Sequence, residues 1–404
     1  MPEYLRPGIH IEDVSFRPKS IEGVNTRVAG FIGPTHCGPV GGKPTLLTSF
    51  ADFERIYGEI GPLNFGGKLL ENHMSHAARA FFENGGQELY VARVHEPGTT
   101  DDGALPSAAA YEGQDAGDRT GLKVFEALDE ISIIAAPGNS ATTSVNNDSR
   151  IFQIAQSMIS HCQKMRYRIA ILDSKEGQEL SEVKDFRGKL DSTHAALYYP
   201  WITIIDPLDA NRQRRVNVPP SGFVAGIYAR TDIARGVWKA PANEIVDGAV
   251  GFELPLDKGQ QDVLNPLGIN CLRYFEGRGY RVLGARTISS DPEWKFVNVR
   301  RYMAYLEHSI DKGTQWAVFE NNNEKLWANI RQSISDFLFN EWKNGALQGM
   351  KPEEAFFARC DRSTMTQTDL GNGRLVCLIG VAVAKPAEFL IFRIGQLTAD
   401  RVIS

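Results

Sequence analysis

The chain has no run of about 20 consecutive apolar residues, the length a helix needs to span a bilayer. Its opening, MPEYLRPGIHIEDV, lacks a basic stretch followed by an apolar one, so no secretory signal is visible. It has no excess of positive charge either. With 44 basic and 49 acidic side chains its formal net charge is −5, which argues against the broad cationic footprint of a nucleic-acid binder. Cysteine is sparse. Cys37, Cys162, Cys271, Cys360 and Cys377 form no CxxC and no regular spacing. A scattered, odd-numbered set suits reduced thiols in a cytosolic protein, most of them small buried hydrophobes. Internal repeats and low-complexity tracts are absent.

Catalytic signatures are missing too. The glycine-rich GPVGGKPT (38–45) fails as a phosphate loop. Its spacing needs a glycine where Cys37 stands, and the residue after Lys43 is Pro44, which has no hydroxyl for magnesium. A surface turn is expected there. GRGYRVLG (277–284) has its third glycine at the wrong spacing for a dinucleotide fingerprint. His73 and His76 lack a nearby Cys, Asp or third His, so they read as polar-face histidines rather than metal ligands. GxSxG is absent. Arg212, Arg214 and Arg215 read as a solvated basic loop, with an anion or an acidic partner as the alternative. No catalytic, cofactor or metal residue is assigned.

What remains is pattern. The chain is 404 residues long, 42% hydrophobic and 23% charged, enough for two or three globular domains. From residue 24, strand-like runs (VAGFIGP, ELYVARV, ISIIAAPG, YRIAILD, AALYYPWITIID) alternate with helical stripes. One stripe is Leu70, Met74, Ala77 and Phe81, ending at Asn84-Gly85-Gly86. Others are Ile151, Ala155, Met158 and Cys162, and a helix near 180–190. This texture predicts a doubly wound α/β layer. Val299, Met303, Leu306 and Ile310 mark a later helix. Another spans 324–343, with Trp327, Ile330, Ile334, Phe337 and Leu338 on its apolar side. FFARCD, RLVCLIGVAVA and AEFLIFRIGQL then follow as strand-like runs, predicting a smaller C-terminal α+β module.

Both chain ends are apolar and strand-like: GIHIEDVSF (8–16), and KPAEFLIFRIGQL (385–397), which is apolar on both faces. Chain ends ordinarily fray. Such strands either pair within their own sheet or seek an edge on another chain.

Several segments together resemble one family, the sheath proteins of contractile phage tails and related contractile injection systems. They are YLRPGIHIEDVS, RVAGFIGPTHCGPV, LLTSFADFERIYG, FFENGGQELYVARV, PPSGFVAGIYARTDIARGVWKAPAN (219–243), NPLGINCLRYFEGRGYRVLGARTISSDPEWKFVNVRR, GTQWAVFENN, and PEEAFFARCDRSTMTQTDLGNGRLVCLIGVAVAKPAEFLIFRI. They run in one order over nearly the whole chain. Larger members carry an extra outer domain where only the polar stretch 95–120 stands here, so the chain looks like a minimal sheath.

The resemblance implies an N-terminal arm strand (1–23), an outer α/β domain (24–285) and an inner α+β module (286–404) completed by terminal arm strands, the C-terminal one at 385–397. It implies a structural subunit, not an enzyme and without a cofactor. Such subunits polymerise as stacked hexameric rings around an inner tube and contract to drive the tube through a target envelope. Its implied partners are further copies of itself, the tube protein, and baseplate and terminal cap proteins. No nucleic acid and no direct membrane insertion are implied. Synthesis is expected in a bacterial cytoplasm without a signal peptide, for a phage tail or tail-like particle. The arms, through Ile9, Ile11 and Val14 and through Phe389, Leu390, Ile391, Phe392 and Ile394, are expected to join neighbouring sheets by β-augmentation. Pro18, Gly23 and Pro386 suit hinge connectors to them. On the 324–343 helix, Lys325, Asn329, Gln332, Asp336 and Lys343 form a polar face. The two lysines are five whole turns apart and share one azimuth. That face is either merely solvated or turned toward the tube. A non-polymerising cap or baseplate component and an α/β nucleotide-binding protein or enzyme remain the rival readings.

Overall fold

The computed structural model describes residues 20–96, 104–115, 117–141 and 148–389. Ile9, Ile11, Val14, Leu390, Ile391, Phe392 and Ile394 lie outside the described residues. The chain divides into two compact units. The larger has its described residues at 25–305 and 384–389, the smaller at 20–24 and 306–383.

The larger unit opens with β1 (Ala29–Gly33), α1 (Phe50–Tyr57), β2 (Leu63–Phe65), β3 (Lys68–Leu70), α2 (His73–Glu83) and β4 (Leu89–Arg93). It continues through α3 (Ala108–Glu112), β5 (Ile133–Ala135), α4 (Asp148–Met165), β6 (Ile169–Asp173), α5 (Leu180–Gly188) and β7 (Ala195–Tyr199). Next come β8 (Ile202–Ile205), β9 (Arg215–Val218), α6 (Ser221–Arg235), β10 (Glu244–Ile245), β11 (Gly251–Phe252), α7 (Lys258–Leu264), β12 (Ile269–Phe275) and β13 (Gly279–Leu283). The division between the units falls within α8 (Val297–Thr314), after Tyr305.

One eight-stranded sheet, in the order β10-β13-β12-β7-β6-β5-β1-β4, forms the centre of this unit. The six strands from β4 to β12 run parallel, and β13 and β10 close one side antiparallel. Every residue of β1, β4, β5, β6 and β7 is buried. Parallel strands covered on both faces carry near-continuous apolar runs, which is why these were readable in the sequence. The pleat sends alternate residues to opposite faces. Phe31, Ile133 and Ile171 join Ala77 and Phe81 of α2 and Phe223 and Ile227 of α6 in one core. Ile32, Ile134 and Leu172 join Ile154, Met158 and Cys162 of α4 in the other. The sheet is therefore the middle layer of an α/β sandwich.

The smaller unit contains the rest of α8, then α9 (Glu324–Lys343), α10 (Pro352–Ala355), β14 (Phe356–Arg359), α11 (Gln367–Gly371) and β15 (Leu378–Val381). Asn323 caps α9, its side chain accepting from the Leu326 N–H at 3.0 Å. Leu326, Trp327, Ile330, Ile334, Phe337 and Leu338 are buried. β14 and β15 pair antiparallel. Ile21 reaches this unit from the N-terminal side, and a Cβ on Gly313 of α8 would stand 2.8 Å from its side chain.

Three expectations need correction. The run AALYYPWITIID is not one strand: it breaks at Pro200, with β7 in the large sheet and β8 in a separate sheet ordered β11-β8-β9. Proline has no N–H for a ladder, so it ends the first strand. Leu70 belongs to β3 rather than to α2. GRGYRVLG, already rejected as a dinucleotide loop, is the β12–β13 hairpin, with Gly277 and Gly279 both at positive φ. The two histidines do not sit on a polar face. His76 is buried and paired with Glu71, and His73 packs edge-on to Trp201.

Candidate functional site

The PPSGFVAGIYARTDIARGVWKAPAN stretch explains itself once folded. Asp173, at the end of β6, accepts the Ser221 N–H at 2.8 Å and its hydroxyl at 2.6 Å, capping the start of α6. Burial pushes this carboxyl up to about 7 against the effect of both hydrogen bonds. Gly222 and Gly226 face α2, where a Cβ would stand 2.6 Å from the Ala77 Cα or 2.5 Å from the Phe81 carbonyl. The two helices touch backbone to backbone. Further along, Asp232 receives Arg301 through two hydrogen bonds of 2.9 and 2.7 Å and Thr26 at 2.6 Å. Both charged groups of that pair are buried.

The C-terminal segment is held to the larger unit before it leaves the described residues. Glu388 accepts from Arg286 at both oxygens, at 2.7 and 2.5 Å, with Lys295 at 3.6 Å. Arg286 is itself buried and fixed by the Asn265 carbonyl at 2.7 Å. Burial alone would raise the Glu388 carboxyl. Hydrogen bonds and charge from Arg286 and Lys295 outweigh it and hold the group below the usual carboxylate range. The next residue, Phe389, is exposed, and 384–389 carry no strand.

In the smaller unit, Lys325, Asn329, Gln332, Asp336 and Lys343 all lie on the exposed side of α9. Gln332 donates to Asp336 at 2.7 Å, and the Lys343 ammonium sits 4.6 Å from the centre of the Phe339 ring. The structure thus groups these five on one helix face. On the β14–β15 hairpin, Phe357 and Leu378 are exposed on the outer side. The Phe357 ring covers Gly380 directly opposite, where a Cβ would find no room. Among the described residues the sheet has two strands, with one isolated bridge, Leu347 to Val383, just beyond β15. A two-stranded ribbon of this kind leaves rows of backbone donors and acceptors open to another strand.

The larger unit also holds a cavity of about 310 Å³ at the carboxyl ends of β1 and β5, lined in part by Glu71, His73, Tyr111, Arg150 and Glu176. Open α/β sheets bind ligands at such ends. Burial, then the neighbouring His76, holds the His73 imidazole down to about 4, so it is neutral at pH 7. Among the described lining residues there is no serine, threonine or cysteine nucleophile. No cluster of metal-ligating side chains occurs among the described residues. No described helix is long and apolar enough to cross a membrane. Arg212 and Arg214 lie in the β8–β9 turn, where Arg214 pairs with Asp206 at 3.1 Å, and Arg215 opens β9 opposite Ile205.

Sequence reasoning did not find the Arg286–Glu388 clamp, whose members are 102 positions apart. It also missed the open outer face of the β14–β15 hairpin. An alternation of Phe357 and Arg359 with half-buried Phe356 and Ala358 was the available signal for the latter.

Two consecutive family models match the chain: the phage tail sheath protein central domain over residues 114–288 and the phage tail sheath C-terminal domain over 289–396. A prophage major tail sheath protein of Pseudomonas aeruginosa strain UCBPP-PA14 is 27% identical over 362 residues, covering 87% of this chain and 85% of its own. Among solved structures, the sheath complex of PVC, an extracellular contractile injection system, in its contracted state matches with a TM-score of 0.79. Its identity is 26%, over 99% of this chain and 100% of that one. The helical sheath of the anti-feeding prophage, also contracted, matches with a TM-score of 0.77 and 28% identity, over 96% and 99%. Domain models, relatives and folds define one class, the structural subunits of contractile tails. The chain belongs to the phage tail sheath family.

Proposed function

We propose that the chain polymerises as stacked hexameric rings around an inner tube and that contraction of this sheath drives the tube through a target envelope. The observation that carries this reading is the near full-length likeness to two sheaths captured in a contracted state. Residues 24–285 form a doubly wound α/β domain facing outward, and residues 286–404 supply the inner α+β module. The N-terminal arm (Ile9, Ile11, Val14) and the C-terminal arm (Phe389, Leu390, Ile391, Phe392, Ile394) extend the open β14–β15 hairpins of neighbouring copies, main-chain hydrogen bonds supplying affinity. A heterologous, non-closing contact of this kind generates an open array from one asymmetric subunit. The exposed face of α9 meets the tube. Baseplate and cap proteins close the two ends. The role is structural and calls for no cofactor, and energy stored at assembly is released as subunits pack more closely.

Negative-stain microscopy of the purified protein, alone and with its tube protein, tests the reading. Long striated tubes are the expected outcome. Isolated rings would assign the chain to a cap or baseplate role. Small monodisperse particles in both samples would overturn polymerisation and return attention to the cavity at the β1 and β5 ends.

A further inference from the structure

We infer that Cys360 and Cys377 are a redox-operated staple across the end of the β14–β15 hairpin, closing to a disulfide when the protein meets a small-molecule disulfide oxidant. This rests on the folded chain alone and is independent of the sheath reading.

The register carries the argument. Phe356 pairs with Val381 and Arg359 with Leu378, so the next step along the ladder places Cys360 opposite Cys377. Antiparallel pairs alternate between hydrogen-bonded and non-hydrogen-bonded positions. The Ala382 N–H donates to the Ala355 carbonyl at 2.8 Å, which fixes 355 and 382 as a hydrogen-bonded pair. Five residues on, the 360 and 377 pair falls at a non-hydrogen-bonded position. There Cα atoms approach to about 4.5 Å and side chains come closest, inside the span a disulfide accepts. The pleat directs both side chains to the same face, and the two thiols lie within hydrogen-bonding reach of each other.

The strand ends are also tied together. The Thr364 hydroxyl accepts from the Asp361 N–H at 3.3 Å and reaches the Val376 carbonyl at 2.8 Å, so one side chain joins the neighbours of both cysteines. Both thiols are free, Cys360 buried and Cys377 half-buried. Cys377 is therefore the sulfur an oxidant meets first.

The exchange balances in two steps. The Cys377 thiolate attacks one sulfur of the small disulfide, forming a mixed disulfide and expelling one small thiolate. The Cys360 thiolate then attacks the Cys377 sulfur and expels the second. Two protein thiols are oxidised, one disulfide is reduced to two thiols, and the two protons pass to the leaving thiolates. Burial, followed by the nearby Cys360, pushes the Cys377 thiol well up. Burial also raises Cys360, opposed by the hydrogen bond from Cys377 and the charge of Arg331. Exchange is therefore slow at neutral pH and accelerates as pH rises, since only thiolate attacks.

The test treats full-length native protein with oxidised glutathione, quenches by alkylation, and measures intact mass and cross-linked peptides without reductant. The expected result is an intact mass short of two alkyl groups relative to the untreated, alkylated control, a Cys360–Cys377 linked peptide, reversal by dithiothreitol, and a rate that climbs from pH 7 to pH 9. Cys377→Ser and Cys360→Ser should each abolish the linked peptide, while Cys37→Ser leaves it intact. A stable glutathione adduct on Cys377 with Cys360 still alkylated would overturn the inference. So would both cysteines remaining alkylated after the wild type is treated at pH 9, a result that needs no variant to fold.

Discussion

At the scale of single residues, the start of α6 is a packing device. Gly222 and Gly226 are needed because α2 approaches α6 backbone to backbone. Gly222→Val forces a side chain into the Ala77 main chain and should destabilise the larger unit by about 3 kcal/mol, the upper range for overpacking. A fall in the thermal midpoint with unchanged secondary structure at low temperature checks this. Glu388 offers a pH test. Its folded carboxyl lies below the usual range, so its ion pair adds stability above the unfolded carboxylate pKa and loses it as pH falls through the folded one. Glu388→Gln should cost about 2 kcal/mol at pH 7, typical of hydrogen bonds to charged groups. The gap between variant and wild type should close in denaturant melts taken toward pH 3. Neither residue announces its role in the sequence. The glycines are visible but not what they touch, and Glu388 meets Arg286 only through the fold. His73 and His76 misled for the same reason: their helix is covered on the side that looked polar.

At the scale of elements, the sequence was most legible where one physical rule dominated. The α9 boundaries read from its apolar stripe, 324 to 343, match the helix, because a capping asparagine starts it and Asn344-Gly345 ends it. The buried parallel strands were equally plain. Legibility failed where two rules competed, as at Pro200, inside an apolar run that continues on both sides. It failed again at strand pairing: nothing in FFARCD and RLVCLIGVAVA says that they pair with each other as a two-stranded ribbon. The α9 face carries its own prediction. Its five residues are exposed, so reversing two charges there leaves the core untouched. Lys325→Glu with Lys343→Glu should change stability by less than about 1 kcal/mol, as surface charges generally do. The double variant should nonetheless co-sediment poorly with assembled tube. Wild-type recovery of tube-bound sheath by this variant would show that the face is only solvated.

At the scale of the whole molecule, the proposed sheath raises the question of how one asymmetric chain would build a long array without unfolding when that array shortens. A linkage made of main-chain hydrogen bonds to an open ribbon can persist while the units it joins move, provided flexible connectors lead into it. The hairpin supplies the open ribbon, and the Arg286–Glu388 clamp fixes where the C-terminal segment departs from the larger unit. That clamp grips the arm near its start, at Glu388, so the residues beyond it can serve a neighbour while the root stays with its own subunit. Removing residues 1–16 leaves intact the first described contacts on the N-terminal side, Ile21 against Gly313 and the Val24 N–H to Ser309 at 3.1 Å. The truncated protein should therefore remain folded, with a cooperative thermal transition close to that of the full chain. It should sediment as a monomer and give no striated tubes under the microscope, even with the tube protein present. Tubes of ordinary length from this truncation would show that the N-terminal arm does not link subunits, and the open β14–β15 hairpin would then need another partner.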